Sequence, residues 1–179
     1  MATTNELPTL RTDRLLLRAF SRTDIPALVP LIGAREVAAT TLRIPHPYSA
    51  SDAEAFLAKL ETGEQIAFAI TLRTDGTLIG AVGLRLECDH NRAELGYWIG
   101  VPYWGNGYAT EAARVVLQYG FVTLDLQRIY ASHFSNNPAS AAVLRKVGMK
   151  HEGSFRKHIL KWDQYLDLET YAVLKAELQ

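Results

Sequence analysis

Small and apolar residues recur at Ala109, Ala112, Ala113, Val116, Leu117, Gly120 and Phe121, while Glu111, Arg114 and Gln118 fall on the other side. This i, i+3, i+4 spacing predicts an amphipathic helix whose small first turns can approach a sheet closely. Ahead of it, Ala93–Val101 reads as a strand ending at Val101-Pro102, and Trp104-Gly105-Asn106-Gly107-Tyr108-Ala109 as the tight turn between the two. Arg14–Phe20 reads as a first strand. Ser21–Asp24 then caps a helical segment with Ile25, Leu28, Val29 and Ile32, which Pro30 makes short or kinked. The prolines of Arg43–Tyr48 exclude helix there.

A second helix is expected from Ser51 to about Glu61, with a capping box at Ser51 and Glu54 and an apolar face of Ala53, Phe56, Leu57 and Leu60. Gln65–Leu72 and Leu78–Glu87 form a predicted hairpin about Asp75-Gly76, and Cys88–Asn91 turns the chain into the central strand. Arg128–Phe134 reads as a strand. Asn137–Val147 reads as a helix, with Asn137 at the N-cap, Pro138 at N1 and Gly148 past its end. Met149–Lys157 and Tyr165–Leu174 read as the last strands, joined through Lys161–Gln164. Several strands before the glycine turn exclude a simple doubly wound sheet. No repeat or linker divides the chain, so a single mixed α/β domain over 1–179 is expected.

Composition narrows the partners. Of 179 residues, 48% are hydrophobic and 21% charged, with 19 Lys+Arg against 19 Asp+Glu. That balance gives no electrostatic reason to expect nucleic acid or an anionic membrane as partner. The lone cysteine, Cys88, excludes an internal disulfide and fits a reducing compartment. With no signal-like or membrane-spanning segment, a cytoplasmic protein is expected. The five histidines show no ligand spacing with Cys88 or one another, so no metal is expected.

The turn between strand and helix is where chemistry enters. The first N–H groups of a helix lack intrahelical partners and lie at the positive end of its dipole, which suits a phosphate. Gly105 and Gly107 can take positive φ and bring no Cβ. A dinucleotide fingerprint would need Gly or Ala at Thr110 and an acidic residue ending the next strand, and neither is present. A Walker A loop would need Gly-Lys-Ser/Thr, which is also missing. A plain glycine turn is the remaining alternative.

The same stretch resembles the acetyl-CoA-binding motif of the GNAT superfamily of N-acetyltransferases. The family pattern Gln/Arg-x-x-Gly-x-Gly/Ala falls on Trp104–Ala109, with Trp104 departing at the first place. That departure, with the run Tyr-Trp-Gly-x-Gly-Tyr-Ala-Thr-Glu-Ala, is similar to the RimJ/RimL branch, which acetylates protein N-termini and has small-molecule-modifying relatives. The resemblance covers nearly the whole order of elements. It implies a mixed, mostly antiparallel sheet of about six to seven strands with flanking helices and splayed central strands that admit the pantetheine arm.

It implies acetyl-CoA as cofactor, held by Trp98, Ile99, Val101, Trp104, Gly105, Asn106, Gly107, Tyr108, Ala109, Thr110, Asn137 and Ser140. The expected reaction is direct transfer to a primary amine in a ternary complex, the acceptor being a small amine or a protein N-terminus and the enzyme a monomer or homodimer. Main-chain N–H groups at the end of Trp98–Val101 are the candidate oxyanion donors. Asn137-Pro138-Ala139-Ser140 matches the family's Asn-x-x-Ser, which points to Ser140 as the group serving the leaving thiolate. Many relatives use a tyrosine four residues later, where this chain has Leu144.

Glu94 stands where the family often carries a glutamate acting on the amine, and His133 and His90 are the next candidates for base. Arg43, His46, Tyr48, Tyr103, Trp162 and Tyr165 lie in segments that flank the acceptor groove in similar proteins. No acidic cluster marks a polycationic acceptor. Cys88 has no evident activating partner, which disfavours a covalent acetyl-cysteine route. A non-catalytic acyl-CoA-binding module is the other reading of the same motif.

Overall fold

A computed structural model describes residues 7–63 and 65–177. Eight strands form one sheet: β1 (Leu10–Arg11), β2 (Leu15–Ala19), β3 (Gln65–Leu72), β4 (Leu78–Glu87), β5 (Arg92–Ile99), β6 (Arg128–Phe134), β7 (Lys150–Lys161) and β8 (Gln164–Leu174). Their spatial order is β1-β2-β3-β4-β5-β6-β8-β7. Every neighbouring pair is antiparallel except β5 and β6, which run parallel. The helices are α1 (Ile25–Ile32), α2 (Arg35–Thr40), α3 (Ala50–Leu60), α4 (Tyr108–Val122) and α5 (Pro138–Lys146).

The mixed, mostly antiparallel α/β sheet matches the expected class, with one strand more than expected. Two corrections concern the segment before β3. The capping box of α3 sits two residues earlier than expected: Ser49 Oγ accepts from Asp52 N at 3.3 Å and Asp52 returns to Ser49 N at 2.8 Å. The helix α2, unforeseen from the pattern, has no side-chain cap.

Two apolar cores flank the sheet. The larger lies under α4, whose Ala112, Ala113, Val116 and Phe121 are fully buried against Leu84, Ala93, Leu95 and Ile129. Gly120 lets α4 come close: a Cβ there would lie 2.7 Å from Ile129 Cδ1. The smaller core gathers Leu28, Ile32, Val37, Ala53, Ala69 and Leu78 under α1–α3.

The entry to α1 is fixed by a buried charge. Asp24 accepts from both Arg18 guanidinium nitrogens at 2.8 and 2.7 Å and from Ser21 N at 2.8 Å. Burial opposes its ionisation, but the Arg18 and Ser21 bonds outweigh that and hold the carboxyl below its ordinary value. A carboxyl depressed on folding stabilises the native state above its unfolded pKa and loses that contribution as pH falls through the folded value. Asp24→Asn is therefore expected to cost about 2 kcal/mol at neutral pH, the worth of a charged hydrogen bond and cap. In denaturant titrations the gap between variant and parent should close below about pH 4, where an ordinary aspartate protonates.

Candidate active site

The site follows from the one parallel pairing. β5 and β6 are in register only at Arg92↔Arg128, Ala93↔Ile129 and Glu94↔Tyr130. β5 then continues to Ile99 and β6 to Phe134 without pairing to each other, so a wedge opens between them. Gly100 N donates to Ile79 O at 2.8 Å, and β5 stays paired with β4 to Ile99. Alternation along an antiparallel strand therefore turns the main-chain groups of Glu94, Gly96 and Trp98 to β4, and those of Leu95, Tyr97 and Ile99 into the wedge. Of the expected donors at this strand end, Ile99 faces the opening. The Trp98 main chain faces β4, and its side chain packs against the smaller core.

The side chains of β5 divide in the same way. Ala93, Leu95, Tyr97 and Ile99 pack toward α4, while Glu94 lines a cavity on the opposite side. The wedge thus joins two faces of the sheet. On the helix side, the chain leaves β5 through a 3-10 turn at Val101–Tyr103 and two left-handed glycines, Gly105 at φ 77° and Gly107 at φ 80°. Gly107 is the N-cap of α4 and no side chain caps that helix, so the amides of Tyr108, Ala109 and Thr110 emerge at the turn.

Side chains hold the turn in shape. Asn106 Nδ2 donates to Tyr103 O at 3.1 Å and Trp104 O at 3.0 Å. Arg14 donates to Asn106 O at 3.0 Å, lies 4.7 Å over the Tyr108 ring and pairs with Glu111 at 2.6 Å. Trp104 folds back so that its indole N–H donates to Ile99 O at 2.6 Å. Its departure from the family pattern thus has a structural use, closing the last carbonyl of the wedge.

Ser140 lies in the first turn of α5 and does not cap it. Asn137 Oδ1 accepts from Ser140 N at 3.1 Å, which leaves the Ser140 hydroxyl for Tyr97, at 2.7 Å from its phenol oxygen. Burial pushes the Tyr97 phenol up to about 12, partly offset by the Ser140 bond, so this pair is protonated at neutral pH. Tyr97, which touches the candidate residue Ser140, is not singled out by the sequence reading.

On the other face, a cavity of about 430 Å³ is lined by Arg43, Glu94, Arg128, Tyr130, His133 and His158 among others. Glu94 Oε2 receives Arg85 at 2.5 Å and Arg43 at 2.9 Å. Arg85, also missed in sequence, stands opposite Glu94 on β4. His133 is buried, and its Nδ1 lies 2.8 Å from Phe134 O. A carbonyl only accepts, so Nδ1 is the donor in this contact. Nε2 is the one buried side-chain N/O atom among the described residues without a protein partner. His90 lies in the turn before β5.

The expected acceptor residues separate into three places. Arg43 is at the cavity. His46 packs against Trp162, ring centres 5.7 Å apart, and Arg35 and Lys161 each lie 5.2 Å from that indole, while Tyr165 is exposed on β8. Tyr48 and Tyr103 are packing residues: Tyr48 lies against the smaller core, where burial and Asp52 push its phenol up to about 12, and Tyr103 lies against the larger. Cys88 is exposed in the turn before β5.

A splayed parallel pair with a glycine turn at the adjoining helix N-terminus is the frame that the resemblance to acetyltransferases implies. The acetyltransferase (GNAT) domain matches residues 14–150, and the chain belongs to that family. It is 33% identical over 169 residues to the uncharacterized N-acetyltransferase YnaD of Bacillus subtilis, covering 94% of this chain and 98% of that one. It is 34% identical over 92 residues to spermidine N(1)-acetyltransferase of Escherichia coli, covering 51% of this chain and 50% of that one. Among solved structures, a GNAT-family acetyltransferase from Bacillus anthracis superposes with a TM-score of 0.86 at 28% identity, covering 95% of this chain and all of that one. The protein is an N-acetyltransferase enzyme of GNAT fold.

Proposed function

We propose that the enzyme uses acetyl-CoA and transfers acetyl directly to a primary amine in a ternary complex, in the manner of the RimJ/RimL branch. The observation that carries this reading is the wedge joining two faces of the sheet, with an uncapped helix N-terminus on one side and a polar cavity on the other. The amides at Gly105–Thr110 would hold the pyrophosphate, and the free main-chain groups of β5 would meet the pantetheine arm and the thioester carbonyl. The exposed position of Cys88, away from the wedge, supports direct transfer.

In the reaction the amine nitrogen adds to the thioester carbonyl, the tetrahedral adduct collapses with loss of the C–S bond, and the proton lost by nitrogen balances the thiolate released. Ser140, supported by the Tyr97 phenol, donates a hydrogen bond to the leaving sulfur. Glu94 serves the amine. Its contacts with arginine fall on Oε2, which leaves Oε1 to accept from the attacking N–H. Two guanidiniums beside it favour the neutral, nucleophilic form of the amine over the ammonium. Glu94 then takes the acidic N–H proton of the tetrahedral adduct.

Acceptor-dependent release of free thiol from acetyl-CoA tests the reading. Cofactor binding with no acceleration by any amine, peptide or amino acid would convert it to an acyl-CoA-binding module. Glu94→Gln is expected to lower kcat by about 10²-fold, within the range of general-base removal. The deficit should be largest at low pH and shrink as the free amine deprotonates. A uniform deficit would assign the proton to the unpartnered Nε2 of His133, and His133→Asn would then carry the pH-dependent loss.

A further inference from the structure

The acceptor cavity has an uneven charge inventory. Three arginines, Arg43, Arg92 and Arg128, line it against a single carboxylate, Glu94. Behind the wall, each of the other arginines has its own acid. Glu87 accepts from Arg92 at 2.8 Å on one oxygen and from the Tyr130 hydroxyl on the other. Glu152 takes Arg128 through both of its oxygens. Glu94 alone serves two guanidiniums, Arg85 and Arg43. Three carboxylates therefore face four arginines.

The surplus charge lies on Arg43. Arg85 binds Glu94 through two nitrogens, whereas Arg43 reaches it through one contact and has a side chain 59% exposed. An exposed, singly held arginine is weakly bound to its partner, and its remaining donors form a planar fork suited to a carboxylate. The rim adds more positive charge: Arg35 and Lys161 lie on Trp162, and Lys161 also donates to Thr41 O, two residues before Arg43.

Resting on the acetyltransferase reading above, we infer that the acceptor is an amine carrying a carboxylate, its amine beside Glu94 and its carboxylate on Arg43. The Glu94–Arg43 ion pair has the polarity of such a ligand, with negative and positive partners exchanged, so a zwitterionic acceptor can insert into it charge for charge. The same cavity repels a polyamine, which brings two or more cations to a wall already in positive excess. Spermidine, the acceptor named for the Escherichia coli relative, is accordingly excluded as a good acceptor for this enzyme.

Thiol release should be measured with acetyl-CoA and matched acceptors: an amino acid and its amide, a peptide with aspartate or asparagine at its second position, and spermidine. The amino acid is expected to exceed its amide in kcat/KM by about tenfold, the scale of one ion pair, with spermidine slowest. The aspartate peptide exceeding its counterpart while free amino acids do not would place the carboxylate on a peptide instead. Arg43→Gln should bring the acid-to-amide ratio toward one, and Arg43→Lys should restore part of it. Equal rates for acid and amide in both matched pairs, preference for spermidine, or an unchanged ratio in Arg43→Gln would overturn the inference and leave acetyl transfer standing. Binding of acetyl-CoA without release by any acceptor would overturn the enzymatic reading itself.

Discussion

Ser140→Ala is expected to lower kcat by about 10²-fold, the usual cost of removing one well-placed donor from developing negative charge, with little change in the KM for acetyl-CoA. The expectation rests on the division of labour in the first turn of α5. Asn137 caps the helix by accepting from Ser140 N, and the Ser140 hydroxyl is engaged with Tyr97. Truncation therefore removes the donor and leaves the cap. The lost hydrogen bond to Tyr97 should cost about 1 kcal/mol of stability, visible as a small shift in melting temperature. Tyr97→Phe should reduce kcat less, and the double variant should resemble Ser140→Ala, because Tyr97 acts through the serine hydroxyl. Asn137→Ala should show the opposite balance, with about 1 kcal/mol lost from the cap and a smaller effect on turnover. An unchanged kcat in Ser140→Ala would remove the hydroxyl from the mechanism.

What was legible in the sequence depended on how local its cause is. The hairpin at Asp75-Gly76, the capped helix α5 and the strand–turn–helix about Gly105–Gly107 are written in adjacent residues, and the structure has all three. The box at Ser49 was displaced to Ser51 because Ser51–Glu54 fits the same spacing with the usual glutamate, whereas the helix uses Asp52. Helix α2 has six residues, follows Ala34 at its N-cap and carries no capping side chain, so it lacks a start signal. The edge strand β7 runs to Lys161, beyond the expected Lys157, because its largely exposed residues show no period and its register with β8 shifts twice.

The site was partly legible. Glu94 and Ser140 are proposed from a family pattern, whereas the side chains they contact, Arg85 and Tyr97, are set by cross-sheet register and by the packing of α5, which no local spacing records. Tyr48 and Tyr103 illustrate the converse. Each sits in a segment near the site, yet its ring completes a core, and proximity along the chain did not distinguish the two outcomes.

Gly80→Ala is expected to disturb fold and function together, through a contact that only the register explains. Gly80 lies opposite Ile99 at the end of β5, where the wedge begins to curve away. A Cβ at Gly80 would stand 2.3 Å from Trp98 O, 2.9 Å from Ile99 Cδ1 and 3.1 Å from Ile99 Cα. Two of these atoms belong to the main chain, so no rotamer change relieves the overlap and the strand end must move. The moving segment holds Gly100 on Ile79 O and Ile99 O on the Trp104 indole, the bonds that set the mouth of the wedge and the start of the glycine turn. Overpacking of this kind costs about 3 kcal/mol, or about 6–12 °C in melting temperature for a domain of this size. The KM for acetyl-CoA should rise about tenfold from the displaced turn, since misplacement by an ångström is enough for effects of that order. Gly96→Ala on the neighbouring strand β5 is the control, because a Cβ there meets no atom within 4 Å, and it should leave the stability within about 0.5 kcal/mol of the parent. Equal destabilisation by the two substitutions would show that this part of the sheet resists any added Cβ, and the tie between Gly80 and the wedge would then fall.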